Sequence, residues 1–246
     1  MADGGDGAAQ GHDLGSEHFL KGFSDPEVVA RYAEGPRRYV PGFESLHRMT
    51  AILLAERAPK DARVLVLGAG GGLELKALAD AHPGWTFVGV DPSAEMLQAA
   101  ERLLGDHMAR VTLIEGYIDA APRSSSELGP FDAATCLLTL HFLKAPERRD
   151  TLRAIRERLR PGAPFVAAHG SFPQGAERDL WLQRYAAYAV ASGADPEQAE
   201  TARAAVAASV QMLSPEADAA ILDEAGFHDA TLFFAAFTWR GWIAHA

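Results

Sequence analysis

The sequence has one cysteine, Cys136, in 246 residues. A lone thiol excludes an internal disulfide and any multi-thiolate metal centre, and it suits a reducing compartment. Apolar residues never gather into a run long enough to span a bilayer, and the N-terminus lacks the basic-then-apolar order of a signal peptide. A cytoplasmic protein with no membrane partner is therefore expected. Basic residues are the minority, 23 Lys and Arg against 33 Asp and Glu, for a formal net charge of −10. Such a surface repels phosphates on average and argues against a nucleic-acid partner. The strongest local exception is Lys144, Arg148, Arg149, Arg153, Arg156, Arg158 and Arg160 on a predicted helix. With Leu152, Ile155 and Leu159 as its apolar positions, that stretch reads as a solvated helix face. The nine histidines are scattered, and no His, Asp or Glu spacing fits a metal site, so no metal is expected.

What is present is ordinary material for a large core: 48% hydrophobic and 23% charged residues. Residues 1–16 are rich in Gly and Asp and read as a disordered tail, with 17–246 as one domain. Within it, 17–60 read as N-terminal cover helices, starting at Asp25-Pro26 and broken at Val40-Pro-Gly-Phe43. Residues 61–170 alternate strands and helices. Strands are predicted at Arg63–Leu67, Thr86–Val90, Val111–Glu115, Phe131–Leu138 and Phe165–His169. Between them lie helices at Leu73–Ala81, Ala94–Leu104 and 147–160, the last stopped by Pro161-Gly162. Alternation of this kind implies a doubly wound, mostly parallel sheet. Residues 171–214 are an Ala-rich helical insertion, split at Ser192-Gly193 and restarted at Asp195-Pro196. A closing helix from Pro215 to Ala225 and two strands, near 230–236 and 238–244, end the chain as an antiparallel hairpin. The sheet is thus expected to have seven strands, under a helical cover.

The sharpest motif is Val64-Leu-Val-Leu-Gly-Ala-Gly-Gly-Gly-Leu-Glu74, a strand running through Gly68, Gly70 and Gly72 into a helix. Glycines there allow a tight turn and close backbone approach, and the helix start offers free N–H groups. The dinucleotide fingerprint needs a third glycine at position 73, where Leu73 stands, which points to a nucleoside ligand without pyrophosphate. Asp91, 23 residues after Gly68 in Gly89-Val-Asp-Pro-Ser-Ala-Glu-Met96, is placed to accept both ribose hydroxyls. Ile114-Glu-Gly-Tyr-Ile118 ends the third strand at the same crevice, where Tyr117 either flanks a base or covers the sheet edge.

These motifs and their order resemble the class I S-adenosylmethionine-dependent methyltransferases over residues 25–246. The resemblance implies a Rossmann-like methyltransferase fold with S-adenosyl-L-methionine as cofactor. It places the methionine part on Gly68, Ala69, Gly70 and Gly72, the ribose on Asp91 with Pro92, and the adenine near Tyr117 and Ile118. Met96 and Leu137 complete the expected cofactor set. The family often has Asp where Tyr117 stands, so one contact to the adenine amine is missing here.

Val40-Pro-Gly-Phe43, Ile114–Ile118, Thr139-Leu-His-Phe-Leu143, Met212-Leu-Ser-Pro-Glu216 and Ala225-Gly-Phe227 are similar to the carboxy-S-adenosylmethionine synthases of tRNA wobble-uridine modification. That subfamily makes its carboxylated cofactor from prephenate and holds the new carboxylate with a Tyr and an Arg. The Tyr position falls on Phe43, and the Arg position falls in Ala204–Ala208, where no Arg stands. The chain therefore reads as a relative that keeps the cofactor frame and lacks the carboxylate clamp. The same resemblance implies a homodimer.

Methyl transfer to a hydroxyl or nitrogen needs alignment and a proton acceptor. His141, just past the fourth strand, is the candidate base, or alternatively a packing or orienting residue; His169 is a second candidate. Tyr32, Arg38, Tyr39 and Phe43 are expected to cover the cofactor or the substrate. Phe172, Trp181, Tyr185 and Tyr188 form one aromatic face, either core or the roof of an apolar pocket. The leading expectation is methyl transfer to a small molecule. Cofactor modification, with Arg38 or Arg203 as clamp, and non-catalytic cofactor binding remain open.

Overall fold

The computed structural model describes residues 34–123 and 129–246. The tail at 1–16, the helix start at Asp25-Pro26 and Tyr32 lie outside the described residues. Among the described residues two helices come first, α1 (Gly35–Tyr39) and α2 (Phe43–Ala55), on either side of the Pro41-Gly42 break. The alternating region follows as β1 (Arg63–Leu67), α3 (Leu73–Ala81), β2 (Thr86–Asp91), α4 (Ala94–Leu104) and β3 (Val111–Glu115). It continues with β4 (Ala133–Leu137), α5 (Ala145–Arg156) and β5 (Pro164–Gly170). The insertion is a helix pair, α6 (Arg178–Ala191) and α7 (Pro196–Ser209); α8 (Pro215–Glu224) leads into β6 (His228–Ala236) and β7 (Trp239–His245). Side-chain oxygens start three of these helices: Ser93 accepts from the Met96 N–H, Asp195 from Glu197 and Gln198, and Ser214 from Ala217.

The sheet runs β3-β2-β1-β4-β5-β7-β6. Strands β1 to β5 pair in parallel, and β7 is antiparallel to both β5 and β6. The two-residue period sorts β1 between two cores. Val64 and Val66 join Leu46, Leu54, Leu75, Leu78 and Leu97 of α2, α3 and α4 on one face. Leu65 and Leu67 join Leu152, Ile155, Ile221 and Leu222 of α5 and α8 on the other. Burial on both faces explains why these strands are apolar throughout. From β1 the chain winds outward to β3, then returns to the other side at β4. The carboxyl ends of β1 and β4 therefore part at the switch point, where open α/β sheets bind ligands.

The basic stretch from Lys144 to Arg160 is a solvated face only in part, with Lys144 and Arg153 exposed. Arg148 and Arg158 are fully buried. Arg158 donates to the carbonyls of Ala121 and Ala154, while Arg160 lies against Asp132 and donates to the Arg57 carbonyl. The guanidiniums of Arg148, Arg158 and Arg160 serve as multidentate connectors between elements, so three of the seven residues in the suspected positive patch are used internally.

Candidate active site

Three strand ends are tied together before any ligand is considered. The N–H groups of Gly68 and Ala69 donate to the Val90 carbonyl at 2.8 and 3.0 Å, and the Gly116 N–H donates to the Asp91 carbonyl at 3.0 Å. Gly68, Gly70 and Gly72 all have positive φ, at 78°, 49° and 83°, a region that side chains rarely enter. A Cβ on Gly68 would also overlap Thr139 Oγ1, so the turn lies directly on the loop after β4. Gly72 has another reason: its missing side chain lets α3 approach Ala100 of α4.

Asp91 is at the centre. Its Oδ2 accepts from the Gly70 N–H at 2.8 Å and its Oδ1 from the Ser93 N–H at 3.0 Å. Burial pushes its pKa up, opposed by these two hydrogen bonds. Each carboxylate oxygen keeps a further lone pair, enough to accept a pair of vicinal hydroxyls. S-adenosylmethionine fits this frame: a turn with no room for a Cβ, a fixed acceptor pair, and apolar side chains of Ile118, Leu138 and Leu143 beside them.

A cavity of about 1110 Å³ runs from this frame under the helix pair. It exceeds the roughly 300–1,000 Å³ of a pocket built for one small ligand. Gly68, Gly70, Asp91, Pro92, Met96, Tyr117, Ile118 and Leu137 line it, together with His141 and Tyr185. Ala69 and Gly72 do not: Ala69 is buried against Gly89, and Gly72 serves helix packing. Three proposed cover or substrate residues also fall elsewhere. Arg38 points outward and pairs with Glu34 at 2.8 Å, because its helix presents that side to solvent. Phe43 is buried in the core against His47, ring centroids 4.4 Å apart. His169 is buried behind the cavity, with Nε2 3.2 Å from Asp218 Oδ1.

His141 lines the cavity on the turn Leu140–Phe142 and is 5% exposed. Its ring sits 5.5 Å from that of Trp239, edge to face, and 4.2 Å from that of Phe142. Among the described residues, its Nδ1 has no hydrogen-bond partner. Burial, then His169 and Arg148, hold its pKa well below the usual histidine value, with Asp218 opposing. A neutral imidazole results at neutral pH.

Behind His141, Arg148 binds the buried Asp218 carboxylate and donates to the carbonyls of Leu140, Leu143 and Gln211. Burial raises the Asp218 pKa, but His169 and Arg148 outweigh it and hold the carboxyl below its ordinary value. The far chamber is apolar: Tyr39, Phe172, Leu182, Tyr185, Val206 and Met212. Tyr39 and Tyr185 meet with ring centroids 5.1 Å apart, and Trp239 Nε1 donates to the Tyr39 carbonyl at 2.9 Å. The expected single aromatic face is divided. Tyr185 faces the cavity, Trp181 is flanked by Arg184 and Arg240, and Tyr188 leans on Phe237.

Sequence reasoning missed several lining residues, among them Leu138, Thr139 and Asp119. Leu138 has φ 55°, a strained value for a non-glycine; its N–H donates to the Ala168 carbonyl at 2.6 Å. Thr139 packs on the glycine turn and donates to the Leu137 carbonyl. Asp119, two positions past Tyr117, brings a carboxylate to the β3 end of the cavity. An acid following the Gly116-Tyr117 turn was the available signal for it.

Among the described residues no helix is long and apolar enough to cross a membrane. A methyltransferase-domain profile matches residues 65–165. The chain is 27% identical over 218 residues to a carboxy-S-adenosyl-L-methionine synthase from Chromohalobacter salexigens, covering 85% of this chain and 78% of the relative. The magnesium protoporphyrin IX methyltransferase of Synechocystis, solved with bound S-adenosylmethionine, superposes with a TM-score of 0.61 at 14% identity, covering 97% of this chain and 99% of that one. An O-methyltransferase family protein from Burkholderia thailandensis superposes at 0.63 and 16% identity, over 92% of this chain and 61% of its own length. With the glycine turn, the Asp91 acceptor pair and this strand order, the chain has the class I S-adenosylmethionine-dependent methyltransferase fold, matches a methyltransferase domain over residues 65–165, and is similar in sequence to the carboxy-S-adenosylmethionine synthases.

Proposed function

We propose that the protein transfers the methyl group of S-adenosylmethionine to a small molecule held under the α6–α7 pair. One observation carries this reading: a single cavity joins the Gly68–Asp91 cofactor frame to the apolar chamber of Phe172 and Tyr185, with His141 on its wall. The cofactor supplies an electrophilic methyl on a sulfonium. Asp91 orients the ribose, Gly68 and Gly70 let the backbone approach, and Asp119 accepts from the adenine amine in place of the acid missing at position 117. Tyr39 and Tyr185 keep bulk water from the acceptor. His141 takes the proton the acceptor gives up.

The acidic net charge, with Arg148 and Arg158 bonded internally, supports a small-molecule acceptor over nucleic acid. The subfamily likeness supports a homodimer and a cytoplasmic location, checked by sedimentation and by fractionation. Cofactor carboxylation, as named for the Chromohalobacter relative, is the second reading. It needs a clamp, and the candidates are engaged elsewhere: Arg38 with Glu34, and Arg203 with Glu200 at 2.6 Å. The test is incubation of the purified protein with labelled methyl donor and an acceptor panel. A methylated product supports transfer. Conversion of added prephenate and donor to a carboxylated cofactor supports the second reading instead.

A further inference from the structure

We infer that the inner chamber accepts an uncharged, largely apolar molecule bearing one acidic hydroxyl, of the phenol or enol class, and rejects carboxylates. This rests on the methyl-transfer reading above.

Charge decides the first half. Among the described residues lining the cavity there is no Lys or Arg; the charged ones are Asp91, Asp119, Glu147 and Asp150. The cofactor's net positive charge is already balanced by Asp91. A carboxylate entering the chamber would thus lose its hydration with no cation to replace it. The uncharged polar side chains among the described lining residues are the hydroxyls of Tyr39, Tyr117, Thr139, Thr151, Tyr185 and Thr238, the indole of Trp239 and the ring of His141. They can orient a neutral hydroxyl, but they cannot neutralise an anion.

The proton decides the second half. Buried His141 is a weak base, so an aliphatic hydroxyl, a far weaker acid, is a poor match, whereas a phenol or enol is near enough to share its proton in the transition state. The hydroxyl oxygen attacks the methyl carbon, forming the O–C bond as the C–S bond breaks and its electron pair stays on sulfur. The hydroxyl proton passes to a ring nitrogen of His141. As the sulfonium charge disappears the imidazolium charge appears, so the net charge of the buried cavity does not change.

Full-length protein saturated with S-adenosylhomocysteine is titrated with 2-naphthol, 2-naphthylamine and 2-naphthoate, and turnover with S-adenosylmethionine is read by mass spectrometry. The expected result is binding of naphthol about 10-fold or more tighter than naphthoate, with methyl-ether product. In Val206→Arg, a cation at the roof is expected to reverse that order while leaving S-adenosylhomocysteine affinity intact. Equal or tighter naphthoate binding by the wild type overturns the inference, as does absence of naphthol binding or methylation of the amine alone. Failure to bind S-adenosylhomocysteine sinks the methyl-transfer reading itself, which separates the two.

Discussion

Arg148 and Asp218, 70 residues apart, form a buried ion pair that fastens the His141 turn to α8. The guanidinium holds the carbonyls of Leu140 and Leu143 on either side of His141, and Asp218 is also within 3.2 Å of His169 Nε2. Breaking one partner leaves an uncompensated charge in a dry site. Asp218→Ala is therefore expected to lose about 3–5 kcal/mol of folding stability. Urea denaturation measures it, and a loss near zero would show that the pair is dispensable.

His141→Ala should lower kcat on an accepted phenol by roughly 10²–10⁴-fold, the usual worth of a general base. S-adenosylhomocysteine affinity should be unchanged. The group facing His141 from β5 is His169, from α5 Arg148 and from α8 Asp218. A purely packing role would instead lower stability and leave kcat untouched, which thermal unfolding alongside kinetics distinguishes.

Two buried groups should bend the stability–pH curve in opposite senses. Burial lowers the His47 pKa to about 4 from 6.5, so the unfolded chain binds the extra proton between those values. Its contribution is complete above pH 6.5 and lost as pH falls toward 4, by up to about 3 kcal/mol. Burial raises Glu74 to about 8 from 4.5, so the folded state holds the proton and stability falls as pH rises between those values. Glu74→Gln should remove that second slope and stabilise the protein at pH 8, and His47→Gln should flatten the acid limb. Unchanged slopes in denaturant midpoints would contradict these assignments.

Much of the frame was legible in the sequence. Arg63–Leu67, Leu73–Ala81, Ala94–Leu104 and Val111–Glu115 fall where periodicity and punctuation place them, because local pattern and burial agree there. The errors share a physical cause. Arg148 and Arg158 look like solvent-facing residues, since charge normally reports exposure, but their partners are distant carbonyls and Asp218. Phe43 occupies the position of a clamp residue yet turns into the core, because an unfunctionalised ring is best buried. The strained backbone at Leu138 has no local signature, since the surrounding loop imposes it.

Gly68→Ala should abolish cofactor binding, because its Cβ would meet Thr139 in a backbone conformation that alanine resists. Asp119→Ala should weaken S-adenosylhomocysteine by about 1–3 kcal/mol, the cost of leaving the adenine amine unpaired. Calorimetric titration checks both, and retained affinity in either variant would remove that residue from the cofactor site.

The most direct test of the whole account is titration of the wild type and Asp91→Ala with S-adenosylmethionine and S-adenosylhomocysteine. Binding by the wild type, collapsing in the variant while its folding is preserved, is the expected result, because the Gly70 and Ser93 N–H groups fix both oxygens of Asp91 where we propose the ribose is held. Absence of binding to either ligand by the wild type, or equal binding by the variant, would contradict the assignment of the cofactor site.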